Sequence, residues 1–103
     1  MHVLIEQKRD RIAGLCRRYG VLRLEVFGSA ARGADFDPNT SDVDFLVSFD
    51  DAGGEPSFKK EIDFAEALKT LLGRPVDLVN PTSIANPFIL ASVNRAREVV
   101  YGT

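Results

Sequence analysis

The 103-residue chain carries one cysteine, Cys16, which excludes an internal disulfide framework and a cysteine-based zinc site. A thiol-poor chain of this kind fits a reducing, cytoplasmic setting. Long apolar runs are missing too. None exceeds the four residues Phe88–Ala91, far short of a membrane span, so no membrane partner is expected. The stretch His2–Arg11 mixes charges with apolar residues and lacks the apolar block of a secretory signal. Internal repeats, low-complexity tracts and linkers are absent, so a single domain over residues 1–103 is expected. What is present supports a folded domain. Hydrophobic residues make up 45% of the chain, and a chain this size buries roughly two-thirds of its unfolded surface.

Positive charge is absent from one continuous stretch. Residues 33–55 hold seven acids (Asp35, Asp37, Asp42, Asp44, Asp50, Asp51 and Glu55) and no base. Residues 1–32 hold seven Lys/Arg against three acids, so the net charge of −2 hides a strong asymmetry. Near-neutral overall charge argues against a generic nucleic-acid binder, and no stable nucleic-acid binding is expected. A concentrated acidic block is either a solvated loop or a metal site.

Val3–Tyr19 reads as one amphipathic helix, with Leu4, Ile5, Ile12, Leu15, Cys16 and Tyr19 at near-helical spacing and Gly20 as its stop. Val21–Phe27 alternates, with Leu22, Leu24 and Val26 set against Arg23 and Glu25, which predicts a strand. Ala30–Arg32 looks like a helical turn, and residues 34–41 have loop composition. Asp42–Phe49 predicts a second strand with Val43, Phe45, Val47 and Phe49 on one apolar face. Pro56 opens a helix to Leu72 whose stripe reads Phe58, Ile62, Ala65, Leu68 and Leu72. Val76–Val79 is a short strand. Asn86-Pro87 starts a third helix through about Arg95, and Glu98–Tyr101 is a last short strand or a tail. His2 reads as a mobile terminus and Cys16 as an apolar helix-face residue. The order predicts an α/β (α+β) layer protein, a small mixed β-sheet flanked by helices.

Asp42 and Asp44 sit two apart on a strand, so their carboxylates leave the same face about 7 Å apart at Cα. At that separation they repel by about 2–3 kcal/mol at an effective dielectric of about 20. A divalent cation would remove the repulsion, and oxygen-only ligands favour Mg²⁺, Mn²⁺ or Ca²⁺. Taken alone, the bare pattern favours a pair of solvent-facing acids on an exposed sheet face. A calcium loop is excluded: Asp35, Asp37 and Asn39 have the right spacing, but Thr40 and Leu46 stand where glycine and glutamate are required. Gly28-Ser29 at a strand end lets backbone amides approach an anion, with the Ser29 hydroxyl and Arg32 as further phosphate contacts. Asp77, in a short apolar strand, completes the cluster if that strand lies beside Asp42–Phe49, as general base or further metal ligand. It is otherwise a solvent-facing edge residue. An anion cradle with metal carboxylates is the equipment of nucleoside triphosphate chemistry.

Taken together, Gly28-Ser29-Ala30-Ala31-Arg32-Gly33, Ser41-Asp42-Val43-Asp44-Phe45-Leu46-Val47 and Val76-Asp77-Leu78-Val79 resemble the minimal nucleotidyltransferases. These form the smallest branch of the DNA polymerase β-like superfamily. The likeness extends to the Asn86-Pro87 helix and the Arg97–Tyr101 end. It implies a polymerase β-like nucleotidyltransferase fold, with Gly28 and Ser29 holding a triphosphate and Asp42 and Asp44 binding two Mg²⁺ ions. Asp77 would be the third carboxylate, activating an acceptor hydroxyl that attacks the α-phosphorus of ATP. Twelve residues separate Ser29 from Asp42, more than the commonest family spacing, an insertion that is cheap in free energy.

Short stand-alone members are similar to MntA-type antitoxins, encoded beside a HEPN-domain ribonuclease toxin, which transfer AMP to a tyrosine of that toxin. The resemblance therefore implies a HEPN-domain toxin as partner. Arg9, Arg17, Arg18 and Arg23 form a candidate docking face, or a merely solvated one. Two other functions fit the same residues: inhibition of a toxin by binding alone, and transfer of a nucleotide to a small molecule. A homo- or hetero-oligomer is compatible with a small sheet that has open edges.

Overall fold

A computed structural model describes residues 2–28, 31, 42–50, 58–80, 87–94 and 97–102. The elements follow in the order α1 (Val3–Gln7), α2 (Arg9–Tyr19), β1 (Val21–Phe27), β2 (Val43–Phe49), α3 (Phe58–Leu72), β3 (Val76–Val79), α4 (Pro87–Asn94) and β4 (Glu98–Tyr101). The strands form one sheet in the order β3-β2-β1-β4. β1 is antiparallel to both β2 and β4, whereas β2 and β3 are parallel. A parallel pair needs a crossover connection, and α3 supplies it. The predicted mixed sheet is observed, and Glu98–Tyr101 is a strand that pairs with β1. Among the described residues no helix is long and apolar enough to cross a membrane.

The first helix is broken where the sequence predicts a continuous one. Glu6 through Arg11 is an unbroken polar run that offers the core nothing to hold, and Lys8 there takes φ −107°, ψ 10°. The break still delivers Ile5 and Ile12 to the core, both fully buried. His2, expected to be a mobile end, caps α1: the Leu4 amide donates to its Nδ1 at 3.1 Å. At the other end Gly20 takes φ 69°, and its amide donates to the Cys16 carbonyl, closing α2 in a left-handed cap.

One side of the sheet carries the core. Ile5, Ile12 and Cys16 pack with Leu24, Val26, Val43, Phe45, Val47 and Val100, and α3 adds Phe64, Leu68 and Leu72. Leu68 and Leu72 are buried as the sequence stripe predicts, but Phe64 takes the place expected of Ile62, which is 61% exposed while Phe64 is fully buried. The helix has two apolar lines, and the larger ring takes the core. Phe64 meets Tyr19 at 5.8 Å and Phe49 edge-on at 5.9 Å. On β1 a register shift between Val21 and Arg23 puts Val21, not the predicted Leu22, inside. Pro56 and Asn86, the expected helix starts, lie outside the described residues.

Candidate active site

The chemistry-bearing residues gather at one end of the sheet, on the side away from the core. Alternation along β2 sends Val43, Phe45 and Val47 into the helices, so Asp44 points to the other side. Asp44 pairs in parallel register with Asp77 on β3 and in antiparallel register with Phe27 on β1. Asp77 is thus brought beside Asp44 rather than standing apart on its edge strand. Asp42 precedes β2 at the same end and is exposed. Gly28 follows Phe27 immediately, with φ 69°, and a Cβ there would lie 2.7 Å from Asp44 Oδ2. Position 28 therefore demands glycine twice over, for its backbone and for the carboxylate packed against it. The Ala31 amide donates to the Gly28 carbonyl at 3.2 Å, the beginning of the turn expected there. Ser29 and Arg32, the other predicted phosphate contacts, lie outside the described residues.

The carboxylates feel one another. Burial above all, then the charges of Asp77 and Asp42 and a hydrogen bond with Asp77, push the Asp44 carboxyl from 3.8 up to about 6. That repulsion is what a hard cation would relieve, and the donor set is oxygen only. Among the described residues no three His, Cys, Asp or Glu side chains converge into a closed metal cage. The tight unit is the Asp44–Asp77 pair, with Asp42 acting from further off. Such an open site fits Mg²⁺, which takes one or two carboxylates and fills its remaining positions with water and substrate phosphates.

A groove of about 510 Å³ lies elsewhere, between α2 and α3, with Leu15, Ala67 and Leu71 beside Asp63 and Glu66. Its acids lie on the outer side of α3, where Glu66 already pairs with Lys69 at 3.2 Å, so the sheet end is the stronger candidate site. The candidate basic face is also not one surface. Arg9 donates to the Val99 and Val100 carbonyls at 3.2 and 3.3 Å, and Arg23 pairs with Glu25 at 2.8 Å. Arg17 and Arg18 are exposed on α2.

Sequence reasoning missed Glu25, read as a solvent-side strand residue and found 4% exposed. Its carboxylate receives Arg23 Nε at 2.8 Å and Arg97 through Nε at 2.8 Å and Nη2 at 3.2 Å. Strand parity puts Glu25 on the same side as Asp44, but nothing local in sequence brings in Arg97, 72 positions away.

A carboxylate pair packed on a strand-end glycine, in a β3-β2-β1-β4 mixed sheet, defines a nucleotidyl-transfer fold. The chain belongs to the nucleotidyltransferase domain family, which it matches over residues 9–100, and is a nucleotidyltransferase. Among its relatives, the protein adenylyltransferase MntA of Thermococcus cleftensis is 41% identical over 87 residues, covering 84% of this chain and 80% of that one. A solved structure provisionally assigned as a minimal nucleotidyltransferase superposes with TM-score 0.72 at 33% identity, covering 95% of each chain. The fold is shared as well with a complex of tri-AMPylated Shewanella oneidensis HEPN toxin and MNT antitoxin. There the TM-score is 0.64 at 21% identity, over 96% of this chain and 73% of that one.

Proposed function

We propose that the chain is an antitoxin that transfers AMP from ATP to a tyrosine hydroxyl of a HEPN-type ribonuclease toxin. The observation that carries this reading is the Asp44–Asp77 pair, in register on neighbouring parallel strands and packed against Gly28. The name of the Thermococcus cleftensis relative supports adenylyl transfer to protein, and the Shewanella oneidensis complex supports a HEPN toxin as the acceptor.

Asp42, Asp44 and Asp77 would hold Mg²⁺, which when bound supplies charge neutralisation at the phosphates and at the developing leaving group. The residues do the rest. Gly28, with no Cβ, lets the Asp44 carboxylate pack against the turn, and Gly28, Ser29 and Arg32 would be the phosphate contacts. Asp77 accepts the proton of the acceptor hydroxyl, whose oxygen forms a bond to the α-phosphorus. The bond from the α-phosphorus to the bridging oxygen breaks in line, and pyrophosphate leaves with that electron pair. The products are an AMP–tyrosine phosphodiester and pyrophosphate.

Label transfer from α-labelled ATP to the neighbouring gene product, with Mg²⁺, tests the reading. Label on a tyrosine of the partner, lost in Asp44→Asn and without metal, is the expected result. A silenced partner that co-purifies but carries no label would make the chain a binding antitoxin instead.

A further inference from the structure

β3 and β4 are the two outer strands of the sheet. An outer strand presents unpaired amides and carbonyls, and a second copy of the same chain always carries a matching one. The two ends of this sheet are finished differently. β3 follows β2 in unbroken parallel register over four residues. β4 is irregular: Leu24 pairs with Tyr101 but Glu25 pairs with Val99, so Val100 is an extra residue, a bulge on the outer strand.

Consecutive carbonyls of a regular strand point to opposite sides, and no single side chain takes both. At this bulge one does. Arg9, the first residue of α2, donates from Nε to the Val100 carbonyl at 3.3 Å and from Nη2 to the Val99 carbonyl at 3.2 Å. The donors of a guanidinium sit in a fixed planar fork, so it is the bent pair of carbonyls that fits it. Val100 is meanwhile anchored by its side chain, which is buried in the core cluster. The outer strand is short as well. Just past Tyr101 comes Gly102, at φ 91°, packed so closely on the Leu22 carbonyl that it leaves no room for a Cβ.

We propose that Arg9 guards this end of the sheet: by occupying the Val99 and Val100 carbonyls it keeps β4 from pairing with the β4 of a second copy. Two effects act together. The carbonyls that an added strand would use are already taken by α2. A two-fold pairing of β4 strands would also bring two guanidinium groups to one seam, where their like charge opposes it. Arg9 thus has a task that the transfer chemistry does not give it, and strand addition at β4 is closed to the wild-type chain.

Sedimentation of the full chain over a roughly hundredfold range of concentration, beside amide hydrogen exchange, tests the guard. Arg9 is exposed, so Arg9→Met, which keeps an apolar stem and removes the fork, is expected to fold. At high concentration that variant should gain a species of about twice the wild-type mass. In it the β4 amides should exchange about tenfold more slowly than in the dilute variant. If Arg9→Met does not fold, Arg9→Gln carries the test. A folded variant that stays at wild-type mass overturns the proposal, and so does a doubled species whose β4 amides gain no protection. Wild type that itself pairs through β4, read as protection of those amides rising with concentration, overturns it too.

Discussion

On β2, Val43, Phe45 and Val47 are sealed against the helices, while Asp44 between them stands beside Asp77 with its ionisation opposed. The two sides of one sheet are thus governed by different demands. The helix side maximises apolar burial, and its cost of change is the cost of a cavity. The opposite side accumulates like charge at one end and offsets a buried acid with two arginines next to it. Burial and like charge there oppose the ionisation of Asp44, a cost that a bound cation would relieve.

Substitutions on the two sides should separate cleanly. The largest effect is on transfer: Asp44→Asn should lower AMP transfer by about 10³-fold, the scale of a lost acid–base or metal group, with the fold intact by circular dichroism. On the other side Phe64→Ala should cost about 3–5 kcal/mol in denaturant unfolding, because a fully buried ring leaves a cavity. Gly28→Ala sits between the two. Its left-handed backbone and the 2.7 Å approach to Asp44 should cost about 1–2 kcal/mol of stability and most of the activity.

The smallest effect is the most diagnostic. Asp44 titrates at about 6 in the fold against 3.8 ordinarily, so the folded state holds that proton more tightly. Its stabilising contribution is complete below about pH 3.8 and is lost as pH rises through about 6. Without Mg²⁺, wild type should lose melting temperature over that window relative to Asp44→Asn, and Mg²⁺ should close the gap. Parallel melting curves for the two proteins between pH 4 and 7 would remove the like-charge account of the site.

The alternation that buries Val43, Phe45 and Val47 is written in β2, and from it the side on which Asp44 emerges follows. Asp77 is legible in sequence only as a conditional member of the cluster, and the parallel pairing of β2 with β3 decides it. The failures lie where two local options compete. Ile62 and Phe64 are both apolar and nearly opposite on α3, and only the neighbouring Tyr19 and Phe49 rings decide between them. Leu22 obeys the alternation, but a shift in register that no single strand encodes turns it outward. Glu25 looked solvent-facing because its partner Arg97 is contributed by the far end of the chain. Long-range polar contacts of that kind have no periodicity to betray them.

Cys16, fully buried on α2, has its thiol pushed up to about 12, chiefly by burial. Since only thiolate reacts and the side chain is fully buried, the folded protein presents almost no reactive sulfur. Modification must therefore wait for α2 to lift from the sheet. The chain thus carries its own stopwatch for core opening. The rate at which a thiol reagent consumes the sole sulfhydryl reports how often the core is breached, and any ligand that clamps the sheet end should slow it.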